Sequence, residues 1–379
     1  MIKRQTMREE MSDKPVSIRD VAKKAGVSPG TVSNVLTGRK PVNKDLADHV
    51  RKVAADLGYQ TDRLASQLRT GKAQIIAVLV PDLDNPFFTS IVAAIEGCVS
   101  QENYEIIVAN SNDDEETERS RLAAILAWRP AGIVVIPSTD RFPNRDLIER
   151  AGVPYVIADR VTHSPQADTV SVANEEAGEM AARHLLELGH RRILLAASVL
   201  GLGNMRERCA GAARVIEAAG APAPEVLETG LTFDVASERL SKWLDGHERP
   251  TAIIGFTNFT TLGVLTALVE RGIRIPHEMS VIGFDDYKWM CARSVPITAI
   301  RQPIQAFGQA IWSRLRNRID GDTGPPMRVY LSCELIVRAS AAAIGPKGPR
   351  TSNANDGNEQ DNVREMARPD AGTGVKPGA

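Results

Sequence analysis

The sequence SIRDVAKKAGVSPGTVSNVL, residues 17–36, establishes the architecture at the N-terminal end of the chain. In its first half, apolar residues recur at helical spacing and predict a short helix with one apolar face: Ile18, Val21, Ala22 and Ala25. Gly26 can take the positive φ that a sharp chain reversal needs. Ser28 is a suitable N-cap for a second helix, with Pro29 at its first position, where no amide donor is lost. The stretch therefore predicts two short helices that cross at a glycine turn.

Two crossed helices joined by such a turn form a helix-turn-helix, a shape that fits the major groove of DNA. A helical hairpin that only packs against the rest of the protein is the plain alternative. Residues 26–30 also match the pentapeptide of a hydrolase nucleophile elbow, which requires a buried strand before its serine. The residues before Ser28 are charged and follow a helical period instead, so the sequence favours the helix-turn-helix.

The composition is that of a globular protein with more than one domain. Its 379 residues suffice for two or three domains. No apolar run approaches the ~20 residues that span a bilayer, and the opening MIKRQTMREEMSDK has no apolar core, so we expect neither a membrane segment nor a secretory signal. The cysteines lie far apart without CxxC pairs, which favours a cytoplasmic location and no metal or other cofactor: Cys98, Cys209, Cys291 and Cys333.

Charge is divided unevenly along the chain, although the formal net charge is only −1. Residues 1–74 contain fifteen Lys and Arg against eight Asp and Glu, a net charge of +7, which leaves −8 for the remainder. A basic head on an acidic body indicates that only the head meets a polyanion. An ordinary solvated charged surface is the alternative.

Three further segments complete the N-terminal region. Residues 1–15 show no period, and we expect a flexible arm. Asn43 is the expected cap of a third helix, whose apolar residues close a small core: Leu46, Val50, Val53, Ala54 and Leu57. The amphipathic TDRLASQLRT, residues 61–70, is too short for a stable isolated helix, since helices below ~12–15 residues are marginal in water. We interpret it as a linker that becomes helical on binding, with an ordinary linker as the alternative.

From Gln74 the pattern changes to apolar strands that alternate with helices. Runs such as IIAVLV (75–80) and EIIVAN (105–110) are apolar on both faces, which is typical of a doubly wound parallel sheet. A second set begins near Ala173, so we expect two similar α/β subdomains. Polar residues follow the strands, and ligands of open α/β sheets bind beyond the strands' carboxyl ends, so a cleft is expected between the halves. Residues 341–379 are rich in Gly, Pro, Asn and charge and are expected to be disordered.

Several blocks of the sequence resemble the LacI/GalR family of bacterial transcriptional regulators. They are IRDVAKKAGVSPGTVSNVLTG, LGYQTDRLASQLRTGK, VPDLDNPFF, HLLELGH, SVIGFDD and ITAIRQP, within residues 16 to about 340. The resemblance implies an all-α helix-turn-helix headpiece (16–60), a hinge helix (61–74) and a core similar to periplasmic sugar-binding proteins (75–340). The implied core has an N-terminal subdomain of about 75–172 and 302–328 and a C-terminal subdomain of about 173–300 and 329–340. Homodimers, and in some members tetramers, are also implied.

The resemblance assigns the second helix of the motif as the recognition helix. Three residues fall where the family places its base-reading side chains: Pro29, Gly30 and Asn34. Asparagine favours adenine, whereas proline and glycine offer no side-chain donor. Three short polar residues are the implied phosphate contacts: Ser28, Thr31 and Ser33. Leu46 and Ala47 replace the Thr-Arg pair that family members often show, so a phosphate contact is either missing or supplied by Lys44, Arg39 or Lys40.

In the hinge, Leu68 matches the leucine that the family inserts into the minor groove at the operator centre, where an apolar wedge kinks the duplex. Ala65 matches the small residue that lets two hinge helices approach each other. For Leu68, ordinary packing is the alternative.

In the cleft, the family pattern implies an effector site with aromatic and polar residues: Phe87, Phe88, Asp159, Arg160, Asn204, Arg208, Phe233, Thr257, Asn258, Asp285 and Gln302. Apolar faces stack on the C–H faces of a sugar, while its hydroxyls need both donors and acceptors. Salt bridges or caps at the strand ends are the alternative roles. Many relatives have Asp-Asn where this chain has Ala173-Asn174, and we expect the loss of that carboxylate to change either the ligand class or the contacts at the subunit interface.

Together these patterns predict a DNA-binding repressor that is controlled by a small polar effector and is not an enzyme. A solute-binding protein would share the cleft but not the basic head. A hydrolase acting through Ser28 is the other alternative, with the weakest support.

Overall fold

The computed structural model describes residues 16–37, 40–59, 74–160 and 167–344. The predictions for the N-terminal arm, the hinge helix and residues 345–379 of the tail lie outside these ranges. Three of the predicted DNA-contacting residues lie outside them as well: Arg39, Ala65 and Leu68. In the described part of the chain, no helix is both long and apolar enough to cross a membrane.

The N-terminal unit has three short helices, α1 (Ile18–Ala25), α2 (Pro29–Thr37) and α3 (Lys44–Asp56). Ser17 and Asp20 form a capping box at the start of α1, in which the Ser17 amide donates to Asp20 Oδ2 over 2.9 Å. Gly26 ends α1 with a φ of 68°, as the turn requires. Valines from all three helices meet in a fully buried core: Val21, Val32 and Val50. The predicted helix-turn-helix geometry is therefore present.

The chain then forms the first half of an α/β core. Its elements alternate in order: β1 (Ile75–Val80), α4 (Pro86–Val99), β2 (Glu105–Asn110), α5 (Glu115–Ala127), β3 (Gly132–Val135), α6 (Arg145–Ala151), β4 (Tyr155–Ala158) and β5 (Asp168–Val172). Strands β3 and β5 are buried along their whole length, as the continuous apolar run of β3 predicts.

The second half repeats the alternation of helices and strands. It consists of α7 (Asn174–Glu187), β6 (Ile193–Ala197), α8 (Gly203–Ala218), β7 (Glu225–Glu228), α9 (Phe233–Gly246), β8 (Ala252–Gly255), α10 (Asn258–Glu270), β9 (Ser280–Phe284), α11 (Lys288–Cys291) and β10 (Thr298–Arg301). Three elements follow and return to both halves: α12 (Ile304–Ile319), β11 (Arg328–Leu331) and β12 (Glu334–Ile336).

These strands form two six-stranded sheets, one in each subdomain. The N-terminal sheet has the order β11-β5-β4-β3-β1-β2 and is parallel throughout. The C-terminal sheet has the order β12-β10-β9-β8-β6-β7, in which only β12 is antiparallel to its neighbour. Two similar doubly wound subdomains are therefore present, as the sequence predicts.

The chain crosses between the subdomains three times, at residue 173, at 302–303 and at 332–333. The predicted return to the C-terminal subdomain at about residue 329 is wrong, because β11 extends the N-terminal sheet by pairing with β5 as far as Leu331. The crossing falls at Ser332 and Cys333, between β11 and β12.

The predicted boundary of the tail also needs correction, because residues 341–344 pack on the C-terminal subdomain. His190 Nε2 lies 3.1 Å from the carbonyl oxygen of Ala342, and the Ile344 amide donates to the Leu188 carbonyl over 3.0 Å. Hydrogen bonds to the backbone of residues 342 and 344 thus hold this short segment on the subdomain, and the amino-acid composition does not reveal them.

Candidate ligand cleft and DNA-binding helix

A cleft opens where the carboxyl ends of the strands from the two sheets face each other. Nine of the predicted effector-site residues line it: Phe87, Phe88, Asp159, Arg160, Asn204, Arg208, Thr257, Asp285 and Gln302. Asp159 follows β4 and Asp285 follows β9, and both have a left-handed backbone, with φ of 58° and 80°. This conformation is uncommon outside glycine, although aspartate tolerates it better than most residues.

Arg208 of α8 is the cation at the base of the cleft. Its Nε donates to Asn174 Oδ1 over 2.9 Å, and one terminal nitrogen donates to the Phe256 carbonyl over 2.7 Å. The guanidinium carbon lies 3.9 Å from the centroid of the Phe284 ring, a cation–π contact. The side chain is therefore held in one orientation before any ligand arrives.

Asp159 is a buried carboxylate that remains only partly hydrogen-bonded. Its Oδ2 accepts from Asn204 Nδ2 over 3.1 Å, while Oδ1 is buried with no hydrogen-bond partner among the described residues. Burial raises the pKa of this carboxyl above its ordinary value, although the charges of Arg208 and Arg160 oppose the shift. The free oxygen is therefore an acceptor that a ligand hydroxyl can satisfy.

Asp285 is fixed by two donors from different elements. The Asn258 amide donates to Oδ2 over 3.0 Å, and Gln302 Nε2 donates to Oδ1 over 2.6 Å. Burial raises the pKa of Asp285 too, with Arg208 acting in the opposite direction and Asp159 adding to the rise. Gln302 Oε1 is buried without a described partner, which makes it a second free acceptor.

Arg160 has a different environment from Arg208. It pairs with Asp113 and donates to the Pro137 and Ser138 carbonyls, and its guanidinium lies 5.5 Å from the Phe88 ring centroid. Because these groups engage Arg160, it orders the loop beside the cleft as well as lining it.

An apolar wall completes the cleft. Phe87 and Phe88 meet edge to face with ring centroids 5.3 Å apart, at the start of α4. Four apolar residues that the sequence reasoning missed also line the cleft: Leu202, Met205, Leu231 and Phe259.

Two predicted residues are not among those that line the cleft. Phe233 is 37% exposed at the start of α9, and Leu231 of the preceding loop lines the cleft in its place. Asn258 donates to Asp285 from its backbone N–H, and its side-chain Oδ1 accepts from Trp289 Nε1 over 3.1 Å.

The cleft offers two arginines, two carboxylates and an apolar wall, and two of its buried oxygens, on Asp159 and Gln302, are free acceptors. This set suits a polyhydroxylated ligand, whose hydroxyls both donate and accept while its C–H faces pack on aromatic rings. Within the described ranges, no group of three His, Cys, Asp or Glu residues could hold a metal ion.

The second candidate site is the exposed beginning of α2. Ser28 Oγ accepts from the Thr31 amide over 3.0 Å, so Ser28 caps the helix as predicted. Pro29 and Gly30 are exposed, whereas Ser33 and Asn34 are half-buried. Lys44 is exposed at the start of α3. Helix α1, rather than a strand, precedes Ser28, so residues 26–30 do not form the nucleophile elbow of a hydrolase.

Leu46 and Ala47 explain the departure from the family's Thr-Arg pair in this region. Ala47 is buried and Leu46 packs against the headpiece core. The two residues therefore serve packing rather than phosphate contact.

Two family models match the chain. One, described as bacterial regulatory proteins of the lacI family, matches residues 17–62. The other, a periplasmic binding protein-like domain, matches residues 182–341. The first model covers the helix-turn-helix. The second covers most of the C-terminal subdomain and also α12, β11 and β12.

Individual relatives agree with these models. The HTH-type transcriptional regulator PtxS of Pseudomonas putida is 32% identical over 329 residues, which is 86% of this chain and 96% of that protein. The lac repressor dimer bound to operator and the anti-inducer ONPF has a TM-score of 0.78 at 27% identity, with 87% of this chain and 100% of that chain covered.

A third match contains a sugar. It is a LacI family transcriptional regulator from Enterococcus faecium with bound ribose, with a TM-score of 0.66 at 25% identity, over 72% of this chain and 100% of that one. With a helix-turn-helix, a two-subdomain core and relatives that align over nearly their whole length, the chain belongs to the lacI family of bacterial regulatory proteins and is a DNA-binding transcriptional regulator rather than an enzyme.

Proposed function

We propose that the protein is a dimeric cytoplasmic repressor whose affinity for a near-palindromic operator is set by a neutral sugar or sugar derivative in the cleft. One observation supports this choice of ligand. The Arg208 guanidinium is held in place, and two buried oxygens in the same cleft, Asp159 Oδ1 and Gln302 Oε1, have no hydrogen-bond partner among the described residues. Buried acceptors without partners are costly, so a ligand that donates hydroxyls to them gains affinity.

The charge balance supports a neutral effector. Asp159 and Asp285 both contact the cleft, while Arg160 is already paired with Asp113. With Asp113 counted beside Arg160, two arginines balance three carboxylates, and a sugar acid or sugar phosphate would meet net repulsion. The ribose bound to the Enterococcus faecium regulator is a neutral ligand of this kind.

On the DNA side, we propose that two headpieces read successive major grooves of the operator. Base contacts come from α2 through Asn34, and phosphate contacts come from Ser28, Thr31, Ser33 and Lys44, with Arg39 as a further contact. Leu68 and Ala65 of the hinge (61–74) act at the operator centre, in the way the family resemblance implies. Because Pro29 and Gly30 offer no side-chain donor, deformability of the operator centre contributes a large share of the specificity.

A ligand can change operator affinity only through its different affinity for two states of the protein. We propose that effector binding changes the angle between the subdomains, and that the hinge helices of the dimer follow this change. Association into a tetramer is not needed for this mechanism.

The test is a thermal-shift screen of the full-length protein against neutral sugars, sugar acids, sugar phosphates and nucleobases. We expect a rise in melting temperature with a neutral sugar and none with the anionic compounds. The same sugar should change the affinity for operator fragments selected from random DNA. A nucleobase or sugar acid as the only hit would overturn the ligand class.

DNA binding is tested separately through its salt dependence. With about eight phosphate contacts, the slope of log K against log salt is about −7, and a nearly flat slope would contradict an electrostatic headpiece. Leu68→Ala should weaken operator binding while the effector affinity stays unchanged. Loss of both would indicate misfolding instead.

A further inference from the structure

One carboxylate reaches from the N-terminal subdomain to the C-terminal one beside the cleft, next to the lining residues Leu202 and Asn204. Asp140 lies in the loop after β3, and its Oδ1 accepts from the Gly203 amide over 2.8 Å. Its Oδ2 accepts from a terminal nitrogen of Arg206 over 2.5 Å. Both donors belong to the first turn of α8, so a single side chain ties this turn to the opposite subdomain.

The N-terminal side of this connection is rigid. The amide of Ser138, two residues before Asp140, donates to the buried Glu118 carboxylate over 2.7 Å. The carbonyl of Ser138 accepts from Arg160, and Asn144, after the loop, donates to Glu118 over 2.9 Å. These contacts hold the loop in place, so Asp140 is presented from a fixed backbone.

The C-terminal side is equally ordered. Another nitrogen of Arg206 donates to the Leu200 and Gly201 carbonyls, each over 2.8 Å. A Cβ at Gly203 would lie 3.1 Å from Asp140 Oδ2, so a larger residue there would displace the carboxylate by a few tenths of an ångström. The Gly203 amide is one of the free donors at the beginning of a helix, where an anion is favoured.

We propose that Asp140, Gly203 and Arg206 form a latch that holds the cleft closed and acts as a positioning element for the effector site. Helix α8 also presents Asn204 and Arg208 to the cleft, one residue and about one turn beyond the latched amide. Fixing the first turn of α8 against the N-terminal subdomain therefore places both ligand-binding side chains opposite Asp159. The latch presupposes the effector cleft proposed above.

The latch contributes to regulation because it raises the fraction of unliganded molecules in which the cleft is closed. A ligand that binds the closed state has an apparent dissociation constant equal to its intrinsic value divided by that fraction. Opening the latch therefore weakens effector binding. By linkage, it also shifts operator affinity of the unliganded protein in the direction opposite to the effector's own effect.

The test compares Asp140→Asn and Asp140→Ala with the wild type by hydrogen exchange of the amides in the first turn of α8, on the full-length protein without ligand. Asp140→Asn keeps an oxygen for the Gly203 amide but loses the ion pair, and we expect exchange about threefold faster. Asp140→Ala loses both contacts, and we expect about tenfold faster exchange. In the wild type, 1 M NaCl screens the ion pair and should therefore reproduce part of the faster exchange seen with Asp140→Asn.

Two controls make the result specific. Glu248→Gln removes an exposed ion pair with Arg192 inside the C-terminal subdomain and should leave exchange in α8 unchanged. The double variant Asp140→Arg with Arg206→Asp swaps the two charges, and it should restore part of the protection from hydrogen exchange that either single substitution removes. Melting temperatures of the variants establish that each one folds.

The outcomes separate the latch from the proposed function. Unchanged exchange in both Asp140 variants would overturn the latch, whatever the effector is. Faster exchange, with a shift in the operator affinity of the unliganded protein, supports both. Faster exchange with unchanged operator affinity supports the latch and contradicts the proposed coupling between cleft and DNA.

Discussion

The guanidinium carbon of Arg208 lies 3.9 Å from the centroid of the Phe284 ring, at the end of strand β9. Phe284 is fully buried, and the residue after it is Asp285, so the ring and the carboxylate that surround Arg208 come from one strand end. The cation is thus held by a ring face, a neighbouring carbonyl and an amide oxygen rather than by a direct ion pair. This arrangement leaves the nearby carboxylates available to a ligand.

Arg208→Lys should reduce affinity for the effector at least tenfold. The guanidinium donates to Asn174 and to Phe256 from two different nitrogens, whereas a lysine has only one, and its compact ammonium stacks less well on the Phe284 ring. Titration calorimetry with the sugar from the thermal-shift screen measures the change. Arg214→Lys, an exposed position on the same helix, is the matched control, and equal losses in both variants would contradict a specific role for Arg208.

Asp159→Asn should stabilise the unliganded protein at pH 7 while it weakens effector binding. Burial raises the pKa of Asp159, so between the ordinary value of 3.8 and the raised native value the folded state binds more protons than the unfolded state. This group's contribution to stability therefore decreases as pH rises through that interval, and at pH 7 the buried carboxyl costs stability relative to a neutral amide. Urea unfolding at several pH values should show a flatter profile for Asp159→Asn.

A matched control for this variant is Asp84→Asn, which removes an exposed carboxylate of the same subdomain. It should leave the pH profile as it is in the wild type. Lower stability of Asp159→Asn at pH 7 would show that the carboxylate is needed to balance Arg208 and would contradict the expected sign.

Gly211→Ala should destabilise the core by about 1–3 kcal/mol, the range for overpacking, and weaken effector binding. A Cβ at Gly211 would lie 2.1 Å from the Glu175 carbonyl oxygen, and one at Gly178 would lie 2.0 Å from the Arg208 carbonyl oxygen. Helices α7 and α8 touch at these two glycines, so a methyl group forces them apart and displaces Arg208. Denaturant unfolding and effector titration are the two measurements.

Gly97→Ala serves as the comparison for that variant. Gly97 also lies within a helix, but a Cβ there would meet no atom within 4 Å. Alanine should therefore stabilise the protein by up to ~1 kcal/mol. Similar destabilisation in both variants would indicate a general intolerance of the fold rather than close packing of α7 on α8.

Stability should also fall as the pH decreases below 6.5, through His190. Burial lowers the pKa of this imidazole in the folded state, so the unfolded state binds the proton first. Each such group costs up to about 1.4 kcal/mol per pH unit between the unfolded and the native pKa. His190→Gln should reduce this slope in urea unfolding between pH 7 and 5, whereas exposed His277→Gln should not.

Much of the fold can be predicted from the sequence, because the spacing of apolar residues in its long segments distinguishes helices from buried strands. The helix-turn-helix has a glycine turn and a capped second helix, and β1, β3 and β8 are continuous apolar runs. Five strands were not predicted: β5, β7, β10, β11 and β12. Three of them are short and largely exposed, as in the EVLE of β7, so only pairing with neighbouring strands makes them extended.

In the cleft, the family resemblance named the lining residues, whereas the strand-end rule predicted only that a cleft lies between the subdomains. Phe259 was missed although it directly follows Thr257 and Asn258, whose position after β8 would have pointed to it. Leu231 follows β7, which was not predicted, so no sequence signal locates it. Asp140 was missed because its partners in α8 are more than sixty residues away in sequence.

The position of β11 has a consequence for synthesis on the ribosome. Strand β5 pairs with β4 but receives its second neighbour, β11, and the partners of its buried Asp168 only when residues 304–331 have emerged. Nearly the entire second subdomain is made before that point. The nascent first subdomain therefore waits with an unpaired strand edge and an uncompensated carboxylate, a state in which chains are prone to aggregate. Neither subdomain can be produced as one uninterrupted piece of this chain.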